Sequence, residues 1–266
     1  MEKKYKLTEE TINVYGITLH RIEALKDFAN IKKGEKGGFI EDEKNLSQSD
    51  DCWIYNNAKV FGNAQVYNNA KVFGNAEVRG NAHVYDDAEV YGNAEVYGYT
   101  MVYGNVKVFD NAKICDDAKV FDNARIFGNA EVFGDAVVSG NARVYGKAEV
   151  YHYAMVYGDA EVCDNAIISG NARVYGNAKV YHYAMVYGNA KVYDKAIICG
   201  DAMVYNNAEI YGSAEVYDDA KVYDNAKVYD NAQVYEDADV YGNARIYGNA
   251  RVYGYALVCD NTKLCD

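Results

Sequence analysis

The sequence predicts an all-β solenoid built of triangular coils, with a small N-terminal β cap, and three observations carry that prediction. From Ile54 to Leu264 every sixth residue is aliphatic, 36 positions without an exception. Two residues before each stands Ala in 32 of the 36, the others being Cys52, Thr100, Val106 and Thr262. The 266 residues contain no Pro, which would delete a ladder donor wherever it fell inside a sheet.

The first fifty residues do not follow the period. Thr11 to Ile22 reads as two strands with a turn near Tyr15-Gly16, and Lys32 to Gly38 reads as a loop. Gly38-Phe39-Ile40, Leu46 and Cys52-Trp53-Ile54 form an irregular lead-in. A solenoid exposes an apolar cross-section at its first coil, so residues 1–51 are expected to cap the repeat that fills 52–266.

Each hexad is one short strand and a corner. In Ala58-Lys59-Val60-Phe61, alternation points Ala58 and Val60 inward and Lys59 and Phe61 outward. Gly62-Asn63 then turns the chain, and Gly, Asn and Asp fill most such pairs because they tolerate positive φ or bond their own backbone. One hexad cannot bury its own Ala and Val, so hexads must stack.

The run Val-Tyr-Gly-Asn-Ala-Lys, at Val174 to Lys179, resembles the hexapeptide repeat of left-handed parallel β-helix proteins, and the resemblance covers residues 52–266. It implies 18 residues per coil, left-handed winding and about 12 triangular coils, a prism of about 58 Å at strand spacing. The lead-in resembles a group of bacterial and phage hexapeptide proteins labelled as transferases. The resemblance implies homotrimers packed prism against prism. It also implies acyl transfer from acyl-CoA, with a histidine as general base.

Composition bounds the function classes. No apolar run approaches the 18 residues of a membrane span, and Met1-Glu2-Lys3-Lys4-Tyr5 lacks the apolar segment of a secretory signal. On the 18-residue wheel none of the six cysteines meets another at disulfide distance; Cys163 and Cys199 share a face two coils apart. Unpaired thiols fit a reducing, cytoplasmic setting. No CxxC or zinc-spaced Cys/His cluster occurs, and nothing in the chain calls for a cofactor.

Outward slots supply the candidate sites. The slot after each inward aliphatic holds 22 Tyr and 6 Phe across 36 positions, which stack into columns at strand spacing. Ile167, Met185 and Met203 share one outward column where Lys or Glu is usual, beside Ser169, Tyr187 and Tyr205. Contiguous exposed apolar residues there read as an interface. The uncapped C-terminal coil offers end-to-end association as a second route.

His152 and His182 are the candidate general bases, each in Tyr-His-Tyr-Ala-Met-Val-Tyr-Gly. Residues 142–171 and 172–201 are near copies, and their offset of 30 is not a multiple of 18, so the two histidines land on different corners. His83 lies outward and His20 in the cap, neither with an acid partner visible in the sequence.

Asp201, Asp219 and Asp237 repeat at one corner with Asp218 and Glu236 beside them, a ladder of repelling carboxylates that Ca²⁺ would relieve. Lys119, Arg173, Lys191, Lys227, Arg245 and Lys263 form a basic column with Glu209 as its one acid. Such a column beside tyrosines suits nucleotides, yet a net charge of −12 and a pI near 4.8 have the wrong sign for steering polyanions. Nucleic acid is therefore not expected as a partner. Ice binding is excluded because Thr100 and Thr262 fall in inward slots. The reading is a non-enzymatic, homo-oligomeric scaffold or binding surface. The alternatives are an acyltransferase and a protein that sequesters a small ligand between subunits.

Overall fold

The computed structural model describes residues 2–266, which form two compact units, Met1–Asn129 and Ala130–Asp266. In the first unit, β1 (Tyr5–Val14) and β2 (Ile17–Ala24) make the expected antiparallel hairpin. Tyr15 and Gly16 turn it with φ of 52° and 83°, the left-handed pair that matches strand twist. β3 (Lys36–Ile40) pairs antiparallel with β2 and parallel with Lys59–Val60, so one strand converts the cap's sheet into the solenoid's.

The loop expected over Lys32 to Gly38 is therefore corrected: Lys36, Gly37 and Gly38 are strand. Two glycines read as a breaker, but here they permit close approach. A Cβ on Gly38 would lie 2.5 Å from both the Ala58 carbonyl oxygen and the Ile54 side chain. The lead-in continues through a 3-10 turn, Glu43–Asn45, closed by a capping box with Asp42. Asn45 Nδ2 then donates to the carbonyls of Gly62 and Ala64.

Thirteen two-residue strands follow, from Trp53–Ile54 to Arg125–Ile126. The second unit holds 23 strands, from Glu131–Val132 to Lys263–Cys265, all of two residues except Arg245–Tyr247 and Lys263–Cys265, which have three. Within each unit they stack as three parallel sheets, every strand pairing with the one 18 residues on, as Ile167 with Met185 and Val180 with Ile198. The fold is an all-β parallel solenoid, three strands to a turn.

The interior is the aliphatic shaft that the six-residue period requires. Val60, Val120, Val180 and Val216, with their Ala partners, have no exposed surface, each valine contributing about 1.5–3 kcal/mol by burial. Backbone groups between coils bond across: Lys191 N–H to Ala208 O at 2.9 Å, Tyr193 N–H to Ile210 O at 3.0 Å. Thr262, expected inward, is exposed.

The first coil is closed by Trp53, flanked edge-on by Tyr5 at 6.1 Å and Phe28 at 5.3 Å. Lys4 is 1% exposed. Its Nζ donates to Asp50 O, Cys52 O and Cys52 Sγ at 2.6, 2.9 and 3.4 Å, and burial lowers its pKa. Phe61 is 4% exposed rather than outward and wet, because Leu19 and Phe39 of the cap pack over it.

Candidate interaction face

The corners explain most polar residues. At the first corner position of every hexad from Asn56 to Asp260, φ is positive. Gly takes this position most often, and Asp, Asn, His152, His182 and Glu236 take the rest. The N–H there lies outside the ladder. Where the preceding coil has Asp in this position, its carboxylate accepts that N–H: Asp164 Oδ2 from His182, Asp194 Oδ2 from Gly212, Asp230 Oδ2 from Gly248, at 3.2–3.3 Å. The second corner position stacks amides, Asn171 to Asn189 to Asn207 to Asn225 to Asn243, at 3.2–3.4 Å.

The acidic ladder divides on this basis. Asp218 Oδ2 accepts from Glu236 N–H and Glu236 Oε2 from Gly254 N–H, so both are occupied as corner caps. Asp201, Asp219 and Asp237 point into solvent. Among the described residues no group of three or more His, Cys, Asp or Glu side chains gathers to hold a metal ion. An open depression of about 700 Å³ over the corner Asp50, Asn68, Asp86 and Gly104 is lined by the same kind of ladder.

His152 and His182 are exposed, on separate corners, each ring edge-on to the preceding tyrosine at 4.8 Å. Their position is the left-handed corner slot, with φ of 59° and 61°. His83 stands edge-on to Tyr67 at 6.2 Å. In the cap, His20 Nδ1 lies 3.1 Å from Thr8 O.

Tyrosine columns stack face to face. Tyr157, Tyr175, Tyr193, Tyr211, Tyr229 and Tyr247 run at 4.8–5.2 Å with interplanar angles of 1–7°. From Tyr175 to Tyr229 both faces of each ring are covered by its neighbours, which leaves no free face there for a nucleobase. Beside it the basic column is partly neutralised: Glu209 bridges Lys191 at 3.0 Å and Lys227 at 2.7 Å. Desolvation, then neighbouring phenols, push Tyr205 up to about 12. The six cysteines are free thiols. Those of Cys163 and Cys199 sit in a tyrosine column and are raised by burial.

The structure brings the apolar patch together. Ile167, Met185 and Met203 lie directly opposite one another in adjacent strands and are half-buried. Tyr187 and Tyr205 stack beside them at 4.9 Å and 0°. The column continues to Glu149 on one side and Lys221 on the other. Sequence reasoning found the apolar members and passed over these two charged flanks; the same 18-residue wheel identifies them.

The family model described as the YdcK beta solenoid repeat matches residues 124–140, 166–182, 172–188, 238–254 and 244–260. The chain is a β-solenoid repeat protein. The repeat's description names an architecture and no reaction. No curated protein matches the chain. Within the solenoid, no helix among the described residues is long and apolar enough to cross a membrane.

Proposed function

We propose that the solenoid is a non-enzymatic, rigid scaffold that self-associates through the face carrying Ile167, Met185 and Met203. One observation carries this reading: three apolar side chains occupy consecutive positions of an outward column in a chain of net charge −12. The equivalent outward slots elsewhere are mostly charged, so a run of three apolar members in one column is a gain when removed from water. Tyr187 and Tyr205 enlarge the patch with stacked rings, whose low conformational freedom suits contact. A second copy is the fitting occupant because it presents the same apolar area and needs no other molecule.

The double variant Met185→Lys, Met203→Lys places two charges in the middle of the face without touching the shaft. Sedimentation velocity is expected to show the oligomer converted to monomer. An unchanged sedimentation coefficient would remove the face from the assembly.

A further inference from the structure

Five successive coils carry Glu149, Ile167, Met185, Met203 and Lys221 in one column, each opposite the next in parallel register. The order is acid, three apolar residues, base. Read backwards against itself, it is complementary at every position.

We infer that this face takes a second copy of the chain with the solenoid axes antiparallel, about a two-fold axis along the strands, so that Glu149 of each copy meets Lys221 of the other. The inference rests on the self-association reading above and adds its symmetry and its specific pairs. Rotation about an axis along the strands turns each column onto itself and reverses the order of coils. Met185 then faces its own equivalent, Ile167 faces Met203, and the two charged ends meet twice. An arrangement with parallel axes and no stagger leaves Glu149 and Lys221 four coils apart in height.

The neighbouring column fits the same rotation. It reads Tyr151, Ser169, Tyr187, Tyr205, Tyr223, so Ser169 is a gap in a row of rings. Under the two-fold, Tyr205 of one copy stands over Ser169 of the other, a ring opposite a missing ring. Tyr205 is fixed for this by stacking on both sides, at 4.9 Å on Tyr187 and 4.8 Å on Tyr223.

The charges themselves give a further argument. Among the described residues, Glu149 and Lys221 form no ion pair within the chain, unlike Lys191, Glu209 and Lys227. They flank an apolar strip with opposite signs and are left for a partner to neutralise. One coil beyond them stand Glu131 and Asp239, two acids that the rotation would oppose. The matched interface therefore spans five coils. Within one chain Glu149 and Lys221 are about 19 Å apart at strand spacing, too far for direct bonding.

Zero-length carbodiimide coupling tests this on the full chain, using an equal mixture of ¹⁴N- and ¹⁵N-labelled protein. The expected product is an amide between Glu149 and Lys221, identified by peptide mass as joining a light chain to a heavy one. Glu149→Lys is expected to weaken association about tenfold, and adding Lys221→Glu to restore it. A dimer that lacks this cross-link, ignores the charge reversal, or proves to be a threefold particle overturns the antiparallel pairing and leaves self-association standing. A monomer at every concentration overturns both readings, as does an assembly indifferent to Met185→Lys, Met203→Lys.

Discussion

Thr100 places a hydroxyl in the dry shaft with no exposed surface and no hydrogen-bond partner for its Oγ1. A buried unsatisfied hydroxyl costs about 1–3 kcal/mol. Val106 shows that the same inward slot accepts valine one hexad later, also fully buried. Thr100→Val is therefore expected to raise stability by about 1–3 kcal/mol, read as a higher denaturant midpoint; a midpoint that falls would mean the hydroxyl is satisfied. Single residues elsewhere were partly legible. The inward valines, the left-handed corners and the hairpin turn at Tyr15-Gly16 follow from alternation and φ preference. Lys4 did not, because a lysine near the start of a polar segment gives no sign that two carbonyls and a thiol wait 46–48 residues away. His152 and His182 read as candidate bases, and their common property is a corner conformation that carries a φ near 60°.

Columns are the elements of this fold, and they extract different work from one spacing. Asparagine columns exchange amide hydrogen bonds, Asp columns cap corner N–H groups, and tyrosine columns exclude water by stacking. In Arg79 the guanidinium substitutes for a ring, lying 4.1 Å over Tyr97 while pairing with Glu95 at 3.1 Å. Two column members show raised phenol pKa values: Tyr85 is pushed up to about 12 by desolvation and then by Tyr67 and Tyr103, and Tyr205 likewise between Tyr187 and Tyr223. An unfolded phenol ionises near 10. The contribution of Tyr85 and Tyr205 is thus intact below pH 10 and is lost as pH rises towards 12, where the unfolded chain gains by ionising first. The tyrosinate absorbance that Tyr85→Phe or Tyr205→Phe removes is expected to titrate above pH 10 in the native protein and near 10 in denaturant. Superimposed curves would contradict the stacked, desolvated columns. The columns were legible from the period of six once three hexads made a coil; the pairing of Glu209 with both lysines was not, since sequence gives the column but not which rotamers meet.

At the scale of the whole molecule, repetition makes the fold readable and the function hard to read. Any stretch of the repeat predicts the next, so the architecture is over-determined by Val, Ala and the corner pairs. Function has to sit in the departures from the pattern, among them Ile167, Met185 and Met203 outward and Ser169 among rings, with Glu149 and Lys221 bounding the apolar run. The cap departs as well. There Gly37 and Gly38 read as loop because the partners that demand glycine, Ile22, Ile54 and Ala58, are distant in sequence. All of these readings depend on stacking at 18 residues. The most direct test is methyl NOE spectroscopy on protein labelled at Ile and Val methyls. Ile168 is expected to show contacts to Val150 and Val186, and Ile198 to Val180 and Val216, the partners one coil before and after in register. Methyl contacts confined to residues three or four apart, or absent at a separation of 18, would contradict the solenoid and everything built upon it.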